Sequence, residues 1–424
     1  MNPKNLTWVH IGLGSVVVER PPQFLKDALR YFRRNENGEG YYEDLYTLSD
    51  DGKRLATMPG FAARVMRVMS GFETRMYDRR MPMPNANYES AISGMHEFWH
   101  PIVESALKAG GGVISIPESL GRADMVAALL RAYSPADLLE RGTPYSVVLM
   151  DTTANGQKMA TELRRLLPER QISRYVGGKY EDPEDIIVAC TTTLCTGDIP
   201  KWATGLLIAC DLSTNVPIEG VSAISAIRNA ARWGIYETPP GGSVSVDMVT
   251  EGLFGPTVAS ATYASAVNAG YMVPITVCWL PAPRIKASFG SCPFKTLEAM
   301  TMQDVDFCKM LYDIAKRTPS EVGVRFYTDQ RKLMHLQKET EDNKADVLVL
   351  ATCRGDMSQI RLPGRQSKGP NDKCYIVTFS HDWDMHNGRP GYLVRHDEAR
   401  KQYFRALGFR QMYVEDINQL PFIG

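Results

Sequence analysis

The spacing of apolar positions divides the chain into three stretches. In the first 85 residues short runs of both periods follow one another. Leu6–Val18 mixes apolar and polar residues in the manner of a strand, and Pro22–Arg34 places Phe24, Leu25, Ala28, Leu29 and Phe32 at helical spacing. Phe61–Met69 repeats the helical spacing and Phe72–Tyr77 reads as a further strand. Met81–Asn87, with Pro82, Pro84, Asn85 and Asn87, reads as a linker. A small α+β module over residues 1–85 is therefore expected.

Beyond the linker, strand and helix patterns alternate. Helix Ile102–Ala109 precedes strand Gly112–Ile116, helix Asp124–Ala132 precedes strand Ser146–Met150, and helix Ala154–Leu167 precedes strand Asp185–Cys190. Strand Gly205–Cys210, helix Val221–Trp233, a strand near Trp233–Ile235 and strand Met272–Trp279 continue the series. Such alternation predicts an α/β domain over 86–280, with a mostly parallel sheet covered on both faces. A second, smaller alternating stretch over 281–424 offers strands Val322–Tyr327, Val347–Thr352 and Cys374–Phe379.

Composition sharpens this picture in three ways. The 424 residues suit two or three domains, and 44% hydrophobic content suits packed cores. Forty-eight basic residues balance 48 acidic ones, so the chain lacks the basic excess that a strong binder of phosphate backbones displays. No apolar run is long enough to span a bilayer, and the N-terminus shows no charged region followed by an apolar one. Eight cysteines without a CxxC pair fit a reducing cytosol, with Cys190 and Cys195 in the core or the loop that follows.

Candidate chemistry centres on GGGVISIPESLGRADMVAALLRAY, a strand running through a glycine-bearing loop into a helix, the layout of a phosphate-binding loop. In a working loop a Lys reaches the terminal phosphates and the next Ser or Thr holds magnesium. Here Arg122 stands at the Lys position behind Gly121, Ala123 has no oxygen to offer, and Glu118 places negative charge where a triphosphate would lie.

The segments that follow come in a recognisable order: YSVVLMDTTANGQKMATELRRLL, YVGGKYEDPEDIIVACTTTL, GLLIACDLST, ARWGIYETP and VTEGLFGPTVASATYASAVNAGYMVPITVCWL. Collinear over about 280 residues, this order resembles the superfamily 2 helicases of the XPB-like and bacteriophage UvsW-like branch. The likeness includes MYDRR (Met76–Arg80) before the proline linker and fades after Pro281. It implies two RecA-like lobes after the N-terminal module, the second reduced. It also implies ATP-driven work on nucleic acid.

The residues depart from that pattern at each chemical position. The resemblance puts Cys210 where the family carries its magnesium-holding Asp, Asp211 where it carries the water-positioning Glu, and Ser213 where it carries His; a register shifted by one residue would put Asp211 at the metal position but leave Leu212 as the base, so neither register supplies the full set. The adenine-reading Gln falls at Trp99. In RLPGRQSKGPNDKCYIVTFSHD the second arginine position keeps Arg365, while Leu362 and Lys368 replace its neighbours. No cofactor is expected, and the replacements argue against binding of ATP and magnesium.

The resemblance further implies that any surviving nucleic-acid face bears Thr153, Lys179 and Thr192. Arg164, Arg165, Arg170, Arg174 and Lys201 either join that face or are ordinary solvated charges. His96–His100 fits HExxH, but Pro101 argues that a helix starts here instead of running through, so a zinc site is not favoured. His381, Asp382, Asp384 and His386 could ligate a metal, or form a surface loop after a strand, the favoured reading.

The expectation is thus a catalytically inactive, helicase-like accessory protein of cytoplasmic and phage or mobile-element character. Its partners would be DNA and a protein such as an active helicase, replication or recombination enzyme. Two alternatives stay open: a divergent but active DNA-dependent ATPase, and a protein-binding inhibitor or structural subunit with no nucleic-acid role.

Overall fold

The computed structural model describes residues 7–423 except 13, 35–39, 81–84, 118–119, 178, 197–198, 200, 211–217, 228–229, 237–243, 286–293, 329–336, 338–345, 356, 358–371 and 387–388. It separates into two compact units, residues 1–261 and 262–424.

The first unit opens with β1 (Thr7–Ile11), β2 (Val16–Glu19), α1 (Gln23–Ala28), β3 (Arg30–Arg34), β4 (Gly40–Asp44), β5 (Tyr46–Leu48), β6 (Arg54–Thr57), α2 (Ala62–Val68) and β7 (Thr74–Asp78). Strands β5-β6-β2-β1-β7 form one sheet and β3 pairs with β4 in a separate hairpin. Alternate residues Val9, Ile11, Val16 and Val18 point into a core shared with Leu25, Leu29, Leu55, Phe61 and Val65. This is the period-2 pattern of a sheet covered on one face. The helical spacing read over 22–34 holds only to Ala28. Beyond it the chain is strand β3, whose pairing with β4 overrides the local periodicity.

The remainder of this unit contains α3 (Tyr88–Ile92), α4 (His100–Ala109), β8 (Gly112–Ser115), α5 (Arg122–Arg131), α6 (Pro135–Glu140), β9 (Tyr145–Met150), α7 (Thr153–Leu166), β10 (Ile172–Val176), β11 (Lys179–Tyr180) and β12 (Ile186–Cys190). There follow α8 (Thr191–Thr196), β13 (Thr204–Cys210), α9 (Ile218–Ser225), β14 (Ala231–Tyr236), α10 (Val244–Phe254) and β15 (Thr257–Ser260). The sheet order is β11-β10-β12-β9-β13-β14-β8-β15, and every neighbouring pair is parallel except β10–β11. Strands β12, β13 and β14 are buried at every position, as a sheet covered on both faces requires. The helix expected over Val221–Trp233 stops by Ser225, and Ala231–Tyr236 is strand between β13 and β8.

The N-terminal module docks on α10. Arg64 forms a two-pronged ion pair with Glu251, and Gly60 lies so close that an added Cβ would fall 2.6 Å from the Gly255 amide and 2.7 Å from the Gly252 carbonyl.

The second unit contains α11 (Tyr263–Asn268), β16 (Ile275–Pro281), α12 (Phe294–Gln303), α13 (Val305–Arg317), β17 (Val324–Tyr327), β18 (Val347–Leu350), β19 (Cys374–Ser380), β20 (Met385–His386), β21 (Arg389–Pro390), α14 (Tyr392–Ala406) and β22 (Arg410–Tyr413). Its main sheet, β17-β18-β19-β16-β22, is wholly parallel. Strand β16, expected in the preceding domain as Met272–Trp279, belongs here, because its partners β19 and β22 arrive about 100 residues later in the chain. The whole is a mixed α/β architecture of two RecA-like lobes behind a small α+β module, the second lobe the smaller. Among the described residues no helix is long and apolar enough to cross a membrane.

Candidate nucleotide site and nucleic-acid face

In a doubly wound sheet, ligands sit beyond the carboxyl ends of the strands, where the strand order reverses. Between β8 and β9 the chain skips the positions of β13 and β14, so the loop after β8 and the ends of β9 and β13 frame that place. Helix α5 starts at the carboxyl edge of β8, as the strand–loop–helix pattern predicts.

Gly121 precedes α5 with φ +90°, a left-handed conformation that a side chain would strain. The Leu120 amide donates to the Pro117 carbonyl at 3.1 Å, and the Leu120 side chain is fully buried. A phosphate cradle needs such amides aimed at the ligand. Arg122, in the first helical turn, is buried rather than extended into solvent. Asp124 adds a carboxylate to the same turn, its pKa raised by burial, with Arg165 opposing and Glu162 adding to the rise. An acid there already answers the positive end of the helix. Ala123 is half-buried.

Cys210 ends β13, level with Met150 on β9 and Ile235 on β14. Its side chain is 0% exposed, and burial pushes the thiol up to about 12; Arg122 pulls the other way and Asp151 reinforces the rise. The group there is a neutral thiol close to Arg122. Tyr236, at the end of β14, is raised likewise by burial and by Cys210. Trp99 is 1% exposed and packs edge-on against Phe98, as a core residue. Glu118, Asp211, Ser213 and Arg365 lie outside the described residues.

Thr153, Lys179 and Thr192 are all exposed. They follow β9, β10 and β12, which are adjacent in the sheet, so the fold brings them to one carboxyl edge. A Cβ added at Gly177 would touch the Thr153 methyl at 3.0 Å, which places the β10–β11 turn beside α7. Thr153 also hydrogen-bonds the buried Cys190 thiol. Four of the other basic candidates are paired with carboxylates of the same lobe. Arg174 and Arg164 both pair with Glu181, Arg165 with Glu162, and Arg170 with Asp185. The strand β10 that carries Arg174 was not anticipated from the sequence.

The His96–His100 segment is a short turn, with helix α4 starting at His100; His96 accepts from the Phe98 amide through Nδ1. The two histidines therefore do not share a helix face. The His381–His386 segment begins as a turn after β19 with Asp382 and Met385 exposed, in keeping with the surface-loop expectation, but His381 (0%) and Asp384 (1%) are buried. His381 donates through its amide (2.6 Å) and through Nδ1 (3.0 Å) to Asp397, which also pairs with Arg400. Arg400 in turn donates to the Thr352 (2.7 Å) and Phe379 (2.9 Å) carbonyls. On its other side His381 Nε2 lies 3.8 Å from Cys353 Sγ. The order thiol, imidazole, carboxylate resembles a nucleophilic triad. Cys353 is 0% exposed and burial pushes its thiol up to about 12, so the array is a structural tie between β18, β19 and α14. Asp397 and Arg400 were missed by sequence reading. Their signal was their place in the buried stripe Leu393, Asp397, Arg400, Phe404 of α14.

No family model matches the chain, and no curated protein matches it. Solved structures do show likeness. A structure of UvsW from bacteriophage T4 is 13% identical with a TM-score of 0.45, covering 96% of this chain and 99% of that one. Dbp5 of S. cerevisiae, bound to RNA and ADP BeF3, is 11% identical with a TM-score of 0.48, covering 76% of this chain and 96% of that one. The ATP-dependent Type ISP restriction-modification enzyme LlaBIII, bound to DNA, is 9% identical with a TM-score of 0.49, covering 84% and 34%. The description of the fold rests on strand order and register.

Proposed function

We propose that the protein is a helicase-like pseudoenzyme that acts on nucleic acid by binding, as an accessory to an active helicase or a replication or recombination enzyme. The observation that carries the reading is Cys210: a buried, neutral thiol ends the central strand where magnesium chemistry needs a carboxylate. The Leu120 amide bonded to the Pro117 carbonyl, the buried Arg122 and the acid at Asp124 support it, since each works against a cradled triphosphate. Phosphoryl transfer depends on positioning and charge stabilisation acting together, so such losses compound. Thr153, Lys179 and Thr192 on one sheet edge support a retained nucleic-acid face, with affinity that falls steeply with salt.

The experiment has two arms. Purified protein with forked, duplex and single-stranded DNA should release no phosphate from ATP above a buffer blank. In gel-shift titrations Lys179→Glu should weaken binding to all sequences alike. Turnover that disappears in Arg122→Ala would establish the divergent ATPase instead. Absence of DNA binding at low salt would favour the subunit without a nucleic-acid role.

A further inference from the structure

Strand β7 closes one side of the N-terminal sheet and pairs only with β1 among the described residues. Sheet edges are normally shortened, bulged, covered or interrupted by proline, because their free N–H and C=O groups template pairing with another chain. Strand β7 has five residues and no proline, and among the described residues no strand lies along its outer side. Thr74 is half-buried, and Arg75, Met76, Tyr77 and Asp78 are exposed. Its outward groups follow from two hydrogen bonds: the Glu73 carbonyl accepts from Thr7, and the Arg79 amide donates to the Ile11 carbonyl. Strand groups alternate sides, so residues 75 and 77 also face β1, and Thr74, Met76 and Asp78 aim their N–H and C=O at the open edge.

We infer that β7 pairs antiparallel with β7 of a second copy of this chain, about a two-fold axis through Met76. Antiparallel pairing exchanges both hydrogen bonds between alternate opposed residues. Centred on Met76, the exchanging pairs are Met76 with Met76, and Thr74 with Asp78 in both directions, the same three residues whose groups are free. The flanking side chains then complement one another. Arg75 faces Tyr77, a cation beside an aromatic ring, and the exposed Glu73 faces the exposed Arg79. Shifted by one hydrogen-bonded pair in one direction, Arg75 meets Arg75; shifted in the other, Met76 meets Asp78 and Arg75 meets Arg79; the intermediate registers align groups that point away from each other. Base stacking by nucleic acid on this face is disfavoured, because Tyr77 already stacks on Trp8 (5.3 Å) and His10 (5.4 Å) and Arg75 covers Trp8. The dimer does not depend on the proposed function.

So small a contact gives a weak, concentration-dependent dimer, which sedimentation of the full chain from about 1 to about 200 μM brackets. The mean mass should climb from 47.3 kDa toward twice that value. Met76→Pro should hold the chain monomeric yet folded, since the amide it removes faces outward, where an edge strand tolerates proline. Glu73→Arg alone and Arg79→Glu alone each set two like-charged pairs across the axis and should weaken the dimer about tenfold or more. The double exchange should restore it. A monomer throughout the range, or dimerisation that the single exchanges leave unchanged, overturns the inference.

Discussion

Cys210→Asp tests the reading of the nucleotide site most directly, because it returns a carboxylate to the strand end. The side chain there is fully buried. Burial raises the native thiol from 9.0 to about 12, which corresponds to about 4 kcal/mol against ionisation at this position. An aspartate in the same surroundings meets a similar penalty, partly offset by Arg122. Its folded pKa should lie well above the unfolded value of about 3.9. A raised folded pKa means that the variant approaches wild-type stability below pH about 4 and loses stability as pH climbs through the folded pKa. At neutral pH the loss should be about 2–4 kcal/mol. Urea unfolding followed at several pH values reads this directly, with Cys210→Ser as the uncharged control. Phosphate release should stay at the blank, because the lysine and hydroxyl are also missing at Arg122 and Ala123. A Cys210→Asp protein as stable as wild type at pH 7.5, with magnesium-dependent hydrolysis, would refute the argument and mark the strand end as an open metal position.

Two further outcomes follow from the packing. For Asp397→Asn we expect a loss of about 3–5 kcal/mol in the second unit, because Arg400 is left buried without a carboxylate. Burial alone would raise the Asp397 pKa, but the His381 hydrogen bond and the charges of His381 and Arg400 hold it below the usual carboxylate value. Its stabilisation is therefore complete above pH about 4 and fades as pH falls through the folded pKa, so the gap to the variant should close in acid; a pH-independent gap would contradict this. Gly60→Ala should lower the melting temperature of the first unit by an amount equivalent to about 1–3 kcal/mol, since the methyl meets backbone on α10. Unchanged melting would mean the module does not rest on α10.

The local pattern of the sequence determined a good deal. Short apolar runs such as Ile186–Cys190 and Leu206–Cys210 suit strands buried on both faces, and their alternation with helices implied a parallel sheet. Gly121 before an apolar helix located the position read as a phosphate loop, and the family resemblance put Cys210 where a carboxylate was expected. Tertiary structure decided what depends on distant partners. The strand near Trp233–Ile235 was expected from the sequence, but its start at Ala231, inside the stretch read as helix, was set by the slot between β13 and β8. Strand β16 joined the second sheet because β19 and β22 supply its hydrogen bonds. His381 and Asp384 looked like a wet loop, since polar residues after a strand usually meet water. His381 is buried because Asp397, held in turn by Arg400 on a helix that starts some ten residues later, accepts its hydrogen bonds, and Asp384 because its carboxylate accepts from the Leu393 amide in the first turn of that helix; these bonds make burial affordable in free energy. No period within a short window carries that information, because the compensation exists only once the helix has folded back on the strand.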